Sequence, residues 1–332
     1  MQKRNYTMLV IMILVTLLLI LPATAFSANI NTIVQQMENS YRQQLRGIED
    51  MTVVQEMKGG FFNIMITTYY KKAIVNNEEV FMSRNETSIM GMDTVTIFDG
   101  LYTWSNDPMT GEVEQEEGGV DALQVWKMFT PEQARYLGDE IVDGKDAYKL
   151  QLDDAIWMMG MEDMVGSDMP EDSEIEMQGI YWIDKETLVP LKAKNYTKTA
   201  TVEDGETVSM NIITNVDFLD YRPVGSMLFS HRMLISTQYE FDESQMAGED
   251  EDDFSAEEFM GFLESMGKME IVVTNAEVNT GLPEELFDGT LLEAQEKMEM
   301  PDYSESAPMS EEDIGAMMEG IMDMIKDFIP QD

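Results

Sequence analysis

The sequence predicts an α+β fold: one large antiparallel sheet of about ten strands, with amphipathic helices over its apolar side. Three observations predict it. After an opening helical stretch the apolar spacing changes at Met51 to a period of two, and short segments rich in β-branched and aromatic residues then recur, split by turn dipeptides, as far as residue 278. No long helices are interleaved with these segments, which argues against a doubly wound parallel sheet. Their faces carry apolar residues that a helix or a ligand has to cover.

Residues 30–46 place Ile30, Ile33, Val34, Met37, Tyr41 and Leu45 on one helical stripe, with Asn29 or Asn31 positioned as the cap. Strands are expected over 51–58, 61–70, 73–76, 79–87, 93–98 and 101–105. Asp99-Gly100 predicts a two-residue hairpin turn pairing Ile97 with Tyr102 and Val95 with Trp104, so that Val95, Ile97, Tyr102 and Trp104 form one apolar face. Thr130-Pro131-Glu132-Gln133 has the form of a capping box with proline at the first helical position and predicts a short helix. In Ala147–Leu152, Tyr148, Leu150 and Leu152 lie on one side. Residues 180–183 and 189–194 flank the turn Asp184-Lys185-Glu186-Thr187. Val208, Met210, Ile212, Val216 and Phe218 share a face of a long strand, and 227–237 and 268–278 are two more.

Two acidic, Met-rich inserts interrupt the series at about 155–178 and 242–267. The second contains the capping box Ser255-Ala256-Glu257-Glu258, followed by Phe259, Phe262, Leu263 and Met266 at helical spacing. Residues 291–332 read as a linker and a final amphipathic helix carrying Met317 and Ile321 on its apolar side. The chain start is a different kind of segment. Lys3 and Arg4 precede an apolar run from Met8 to Leu21, and Ala23-Thr24-Ala25 supplies small residues for cleavage. Residues 1–25 are therefore expected to be a Sec-type signal peptide, sending the protein to the periplasm, or tethering it to the inner membrane if uncleaved. The domain plan is signal peptide 1–25, main domain 26–290, and tail 291–332.

Composition narrows the function. The 332 residues include 64 acidic and 21 basic side chains, a net charge of −43. Such a body repels phosphate backbones, so nucleic acid is not an expected partner. With no cysteine and one histidine, thiol nucleophiles, Cys/His zinc sites and iron–sulfur clusters are excluded. His231 stands next to Ser230, but neighbours on a strand point to opposite faces and do not form a catalytic pair. No phosphate loop or nucleophile elbow is present. The reading is of a protein that is not an enzyme, with no cofactor and no metal site among its expected features. The 32 methionines leave three readings open: leucine-like core filling, an adaptable lining for lipid, or Cu(I) ligation at spacings such as Met158-Met159-Gly160-Met161.

The order of several stretches resembles the LolA-like carriers, the outer-membrane lipoprotein-sorting superfamily. They are the opening helix, Ile97-Phe98-Asp99-Gly100-Leu101-Tyr102-Thr103-Trp104, Val142-Asp143-Gly144-Lys145-Asp146-Ala147-Tyr148, Tyr181-Trp182-Ile183-Asp184 with Val189-Pro190-Leu191-Lys192, Asp220-Tyr221-Arg222-Pro223-Val224, and Asn275–Asn279 running into Gly281-Leu282-Pro283-Glu284-Glu285-Leu286-Phe287. The resemblance implies a strongly curved, incomplete β-barrel of about ten to eleven strands around a hydrophobic cavity, with helices on the concave side as a lid. It implies binding of lipoprotein acyl chains or other lipid, carried toward the outer membrane. The partners it implies are an inner-membrane lipoprotein-releasing or lipid-export transporter and an outer-membrane acceptor. The expected lining is Val95, Ile97, Tyr102, Trp104, Tyr148, Leu150, Trp182, Met210 and Ile212; the expected lid is Phe259, Phe262, Leu263, Met266, Met317 and Ile321. Two alternatives remain at this point: an RseB-like envelope-stress sensor using the same half-barrel, and a Met-rich Cu(I)-binding protein. The sequence departs from the family in its length, its acidity and the lack of an assignable lid-locking arginine; Arg42 and Arg46 on the first helix are the positional candidates.

Overall fold

The computed structural model describes residues 29–59, 62–89, 92–106, 112–119, 121–153, 174–203, 206–241 and 267–292. Their strands are β1 (Asp50–Gly59), β2 (Phe62–Val75), β3 (Glu78–Ile89), β4 (Met92–Phe98), β5 (Tyr102–Asn106), β6 (Val113–Glu117), β7 (Ala134–Val142), β8 (Lys145–Asp153), β9 (Glu174–Asp184), β10 (Pro190–Glu203), β11 (Glu206–Val224), β12 (Met227–Phe241) and β13 (Lys268–Val278). All join one curved, unclosed antiparallel sheet in the order β6-β5-β4-β3-β2-β1-β13-β12-β11-β10-β9-β8-β7. The order is two meanders. One walks outward from β1 to the β6 edge; the other starts at the β7 edge and returns to β13, which pairs with β1 from Met51↔Val278 to Gly59↔Met269.

Among the described residues there are thirteen strands rather than ten to eleven, and one α-helix rather than several. The segments 61–70 and 73–76 are a single strand, β2. Two strands, β6 and β7, were not expected at all. The capping box at Thr130 makes only one turn: the Ala134 N–H donates to Thr130 O at 2.8 Å, and Ala134 is already paired with Leu152. Sheet pairing overrides the local helix signal, because Ala134 is needed in the core. The Asp99 hairpin also differs by one step. Phe98 pairs with Thr103 and Ile97 with Trp104, so the loop is Gly100-Leu101. Asp99 closes it, accepting from the N–H groups of Leu101 and Tyr102 at 2.8 Å each and from Trp104 Nε1 at 2.8 Å. Gly100 has φ +99°, a left-handed conformation suited to glycine. The expected helices carrying Phe259, Phe262, Leu263, Met266, Met317 and Ile321, like the signal segment, lie outside the described residues.

The helix α1 (Ile30–Gln44) starts at Asn29, whose side chain accepts from the Thr32 N–H at 2.9 Å. Ile33, Met37 and Tyr41 are its buried residues. They belong to one buried core cluster with Met51, Val53, Leu150, Tyr181, Ile183, Ala193 and Val216. The connection from β6 to β7 has to cross the whole sheet, and it does so on this same side. There Leu123, Trp126, Met128 and Phe129 are buried. Trp126 lies 5.5 Å from the Tyr41 ring, and Phe129 meets Tyr181 edge-on at 5.4 Å. Asp121 pins the crossing, accepting from the Phe81 N–H at 2.7 Å. The chain leaving β13 turns onto the opposite side. A strap, residues 279–292, is fixed by Asp50, which accepts from the N–H groups of Thr280 at 2.7 Å and Gly281 at 2.9 Å. Asn279 accepts from the Glu49 N–H at 2.7 Å and donates to Gly47 O at 2.8 Å.

Candidate functional site

Directly opposed residues of antiparallel strands share a face, so the pairings assign every side chain to one side of the sheet. The side that meets α1 is here called the helix face, and the other the strap face. Under α1 the helix face is filled by protein. Farther along the strands it continues beyond the helix. Its described side chains there are Gln55 and Met57, Ile64 and Ile66, Thr87, Thr94, Ile271 and Met269, Met233, Ile235 and Thr237, Met210 and Ile212, Thr197 and Thr199, Met177 and Ile175. Most are half-buried. None carries a charge.

The strap face of the same strands is the reverse. It carries Glu56, Lys58, Arg84, Glu86, Glu176, Lys192, Lys194, Lys198, Asp217, Arg232 and Glu270. Many of them pair across the surface: Arg84–Glu86 at 2.7 Å, Arg232–Glu270 at 2.5 Å, Lys58–Glu56 at 2.8 Å and Lys192–Asp217 at 3.5 Å. In a chain of net charge −43, the described side chains of this part of the helix face are uncharged and apolar or weakly polar.

Some neutral polar groups on the helix face pair with one another. The Thr68 hydroxyl donates to Asn85 Oδ1 at 2.5 Å, and the hydroxyls of Thr214 and Thr237 are 3.3 Å apart. Burial pushes the Tyr239 phenol upward, and burial with Asp121 nearby pushes Tyr70 up to about 12, so both stay protonated at neutral pH. Neither Ser230 nor His231 is set up for chemistry. The Ser230 hydroxyl sits 2.9 Å from Leu219 O, and His231 Nδ1 sits 3.1 Å from Phe229 O. Among the described residues no group of three or more His, Cys, Asp or Glu is placed to hold a metal ion. The Met158–Met161 cluster lies outside them.

The nine residues expected to line one cavity are divided between the two faces. Tyr148, Leu150, Met210 and Ile212 are on the helix face. Leu150 is fully buried in the core under α1, and the Tyr148 hydroxyl donates to Gln36 Oε1 of the helix at 3.3 Å. Met210 and Ile212 lie beyond the helix. Val95, Ile97, Tyr102 and Trp104 do share a face, but it is the strap face. Ile97 is fully buried there, and the strap's Gly289 lies so close to the Trp104 ring that a Cβ would collide with it. Trp182 is also on the strap face, packed with Ala147 and Leu191 under the Lys149 ammonium, 5.1 Å from the ring centroid. A cleft of about 910 Å³ opens beside the strap, between Lys71, Ile74, Met82, Leu101, Tyr102 and Phe287, with Glu284, Glu285 and Asp288 at its rim.

Residues the sequence reading passed over are Ile64, Ile66, Ile235, Ile271 and Met269. Alternation in Lys268-Met269-Glu270-Ile271 was the available signal. It divides charge from hydrocarbon one residue at a time.

No protein-family model matches the chain, and no curated relative is found. Similar solved structures are found. A DUF1329 family protein from Desulfovibrio piger is 13% identical, with a TM-score of 0.44 over 77% of this chain and 98% of that one. Lipoprotein LppX of Mycobacterium tuberculosis is 12% identical, with a TM-score of 0.21 over 49% and 86%. The MucA/MucB complex of Pseudomonas aeruginosa is 13% identical, with a TM-score of 0.21 over 76% and 96%. The likeness is one of fold.

Proposed function

We propose that the protein is an extracytoplasmic carrier of lipid or of lipoprotein acyl chains, holding them against the part of the helix face beyond α1 and performing no catalysis. The observation that carries this reading is the partition of charge between the two faces of one sheet. A 16-carbon chain in water is unfavourable by roughly 12 kcal/mol, at about 0.8 kcal/mol per methylene, so it does not cross an aqueous compartment unaided. A half-buried surface of isoleucine, methionine and threonine shelters it. Methionine and isoleucine give that surface both adaptability and shape. In this reading the carrier works in the periplasm, loads at an inner-membrane lipoprotein-releasing or lipid-export transporter and unloads at an outer-membrane acceptor.

The test is native mass spectrometry of the purified protein after gentle release from cells. Lipid adducts are expected, and Ile212→Glu, which puts a carboxylate in the middle of the surface, is expected to lower their occupancy at least tenfold while the urea unfolding midpoint stays nearly constant. Protein that is empty under several growth and purification conditions overturns the reading. So does adduct occupancy unchanged by Ile212→Glu.

A further inference from the structure

The strands also indicate which lipids the surface takes, an inference that rests on the carrier reading above. The described part of the helix face beyond α1 offers threonine hydroxyls and carboxamides but no ammonium or guanidinium. Every lysine and arginine of β1, β3, β10, β12 and β13 that is described at this level belongs to the strap face. The nearest of them are already committed, as in Arg84–Glu86 and Arg232–Glu270. A phosphate or carboxylate headgroup following its acyl chains onto this face therefore meets no counter-ion. Leaving an anion without a partner at a partly desolvated surface is strongly unfavourable.

The sheet ends reinforce the point. β8 ends at Asp153 and β9 begins at Glu174; β12 ends at Phe241 and β13 begins at Lys268. In sequence, residues 154–173 and 242–266 contain many Asp and Glu and no Lys or Arg. With a net charge of −43 on the whole chain, the potential facing an approaching anion is repulsive. Ester and amide carbonyls, in contrast, find donors in Thr87, Thr94, Thr197 and Asn195.

We infer that the helix-face surface selects acyl chains borne on an uncharged head, and discriminates against anionic lipids of the same chain length. The experiment incubates the full chain with an equimolar mixture of a diacylglycerol and a phosphatidylglycerol of identical acyl composition, and reads bound lipid by native mass spectrometry. The expected result is at least tenfold preference for the diacylglycerol at low ionic strength, narrowing as salt screens the acidic surface. Thr197→Lys and, on the other arm of the sheet, Thr87→Lys each place a cation on the surface and are expected to raise phosphatidylglycerol loading severalfold. Two separated positions guard against one variant that fails to fold. Equal loading of the two lipids, or a preference for phosphatidylglycerol, overturns the selectivity while leaving the carrier reading intact. Loading of neither lipid overturns both.

Discussion

Single carboxylates in this protein do opposite work according to what surrounds them. Asp50 is almost fully buried, and burial alone would raise its pKa. The N–H groups of Thr280, Gly281 and Leu282 and the Thr280 hydroxyl outweigh that and hold it below the usual carboxylate range. A depressed folded-state pKa means stability that is present above the unfolded value and is lost as pH falls through the folded one. Asp121 is the converse. Burial raises its pKa despite the bonds from Phe81 and Gln124, so its contribution favours the fold at acid pH and declines as pH rises. Asp50→Asn removes the charge that the strap's N–H groups bind and is expected to destabilise by about 2–3 kcal/mol at neutral pH. The deficit relative to the parent should begin to shrink below about pH 4, where Asp50 takes up a proton in the unfolded chain, and should close as pH falls through the lower folded-state value. Urea unfolding midpoints across that range check it; a deficit that stays constant with pH means the carboxylate charge is not what holds the strap.

Elements were legible in proportion to how far their order is local. α1 was readable because Ile33, Met37 and Tyr41 repeat at helical spacing behind an Asn cap, and β13 because its apolar and charged residues alternate. β6 was not, since Val113-Glu114-Gln115-Glu116-Glu117 is an edge strand with little apolar surface to bury. β7 was hidden by Gly138, at φ +123°, where its register with β8 shifts and the alternation breaks. The candidate surface was half legible. Period two shows that Val95, Ile97, Tyr102 and Trp104 share a face, but not which face meets the helix. That is decided by a strap some two hundred residues downstream, and no local pattern carries it. The strap supplies its own test. Gly289→Ala puts a methyl group into the Trp104 ring, so strap or ring has to move, and the change is expected to destabilise by about 1–3 kcal/mol. Denaturant titration measures the loss; an unchanged midpoint means the strap is not packed on β5 as described.

At the scale of the whole molecule, an open sheet has to manage two edges, and here they are managed differently. β6 presents Glu114, Glu116 and Glu117, all exposed, so an approaching strand meets like charge or has to desolvate carboxylates. β7 has the irregularity at Gly138 and the charged side chains of Arg135, Asp139 and Glu140, which are paired within the fold with Asp153, Lys185 and Lys149, and it also exposes Leu137 at 47% and Ile141 at 70%. What keeps two such edges apart at neutral pH is the overall charge: two bodies at −43 repel before their edges meet. That protection is titratable and the edge's hydrophobicity is not. As pH falls into the carboxylate range, or as salt shortens the screening length to a few ångströms, repulsion fades while the backbone groups and aliphatic side chains of β7 stay as they were. The expected outcome is self-association that begins as pH approaches 4 and is carried by β7. Ile141→Lys, which keeps a charge at that edge under acid conditions, should move the onset to lower pH or higher protein concentration. The matching change at β6, Glu114→Lys, should leave it in place. Light scattering against pH for the three proteins separates the cases. An identical onset in all three would assign the association to general loss of charge rather than to an edge of the sheet.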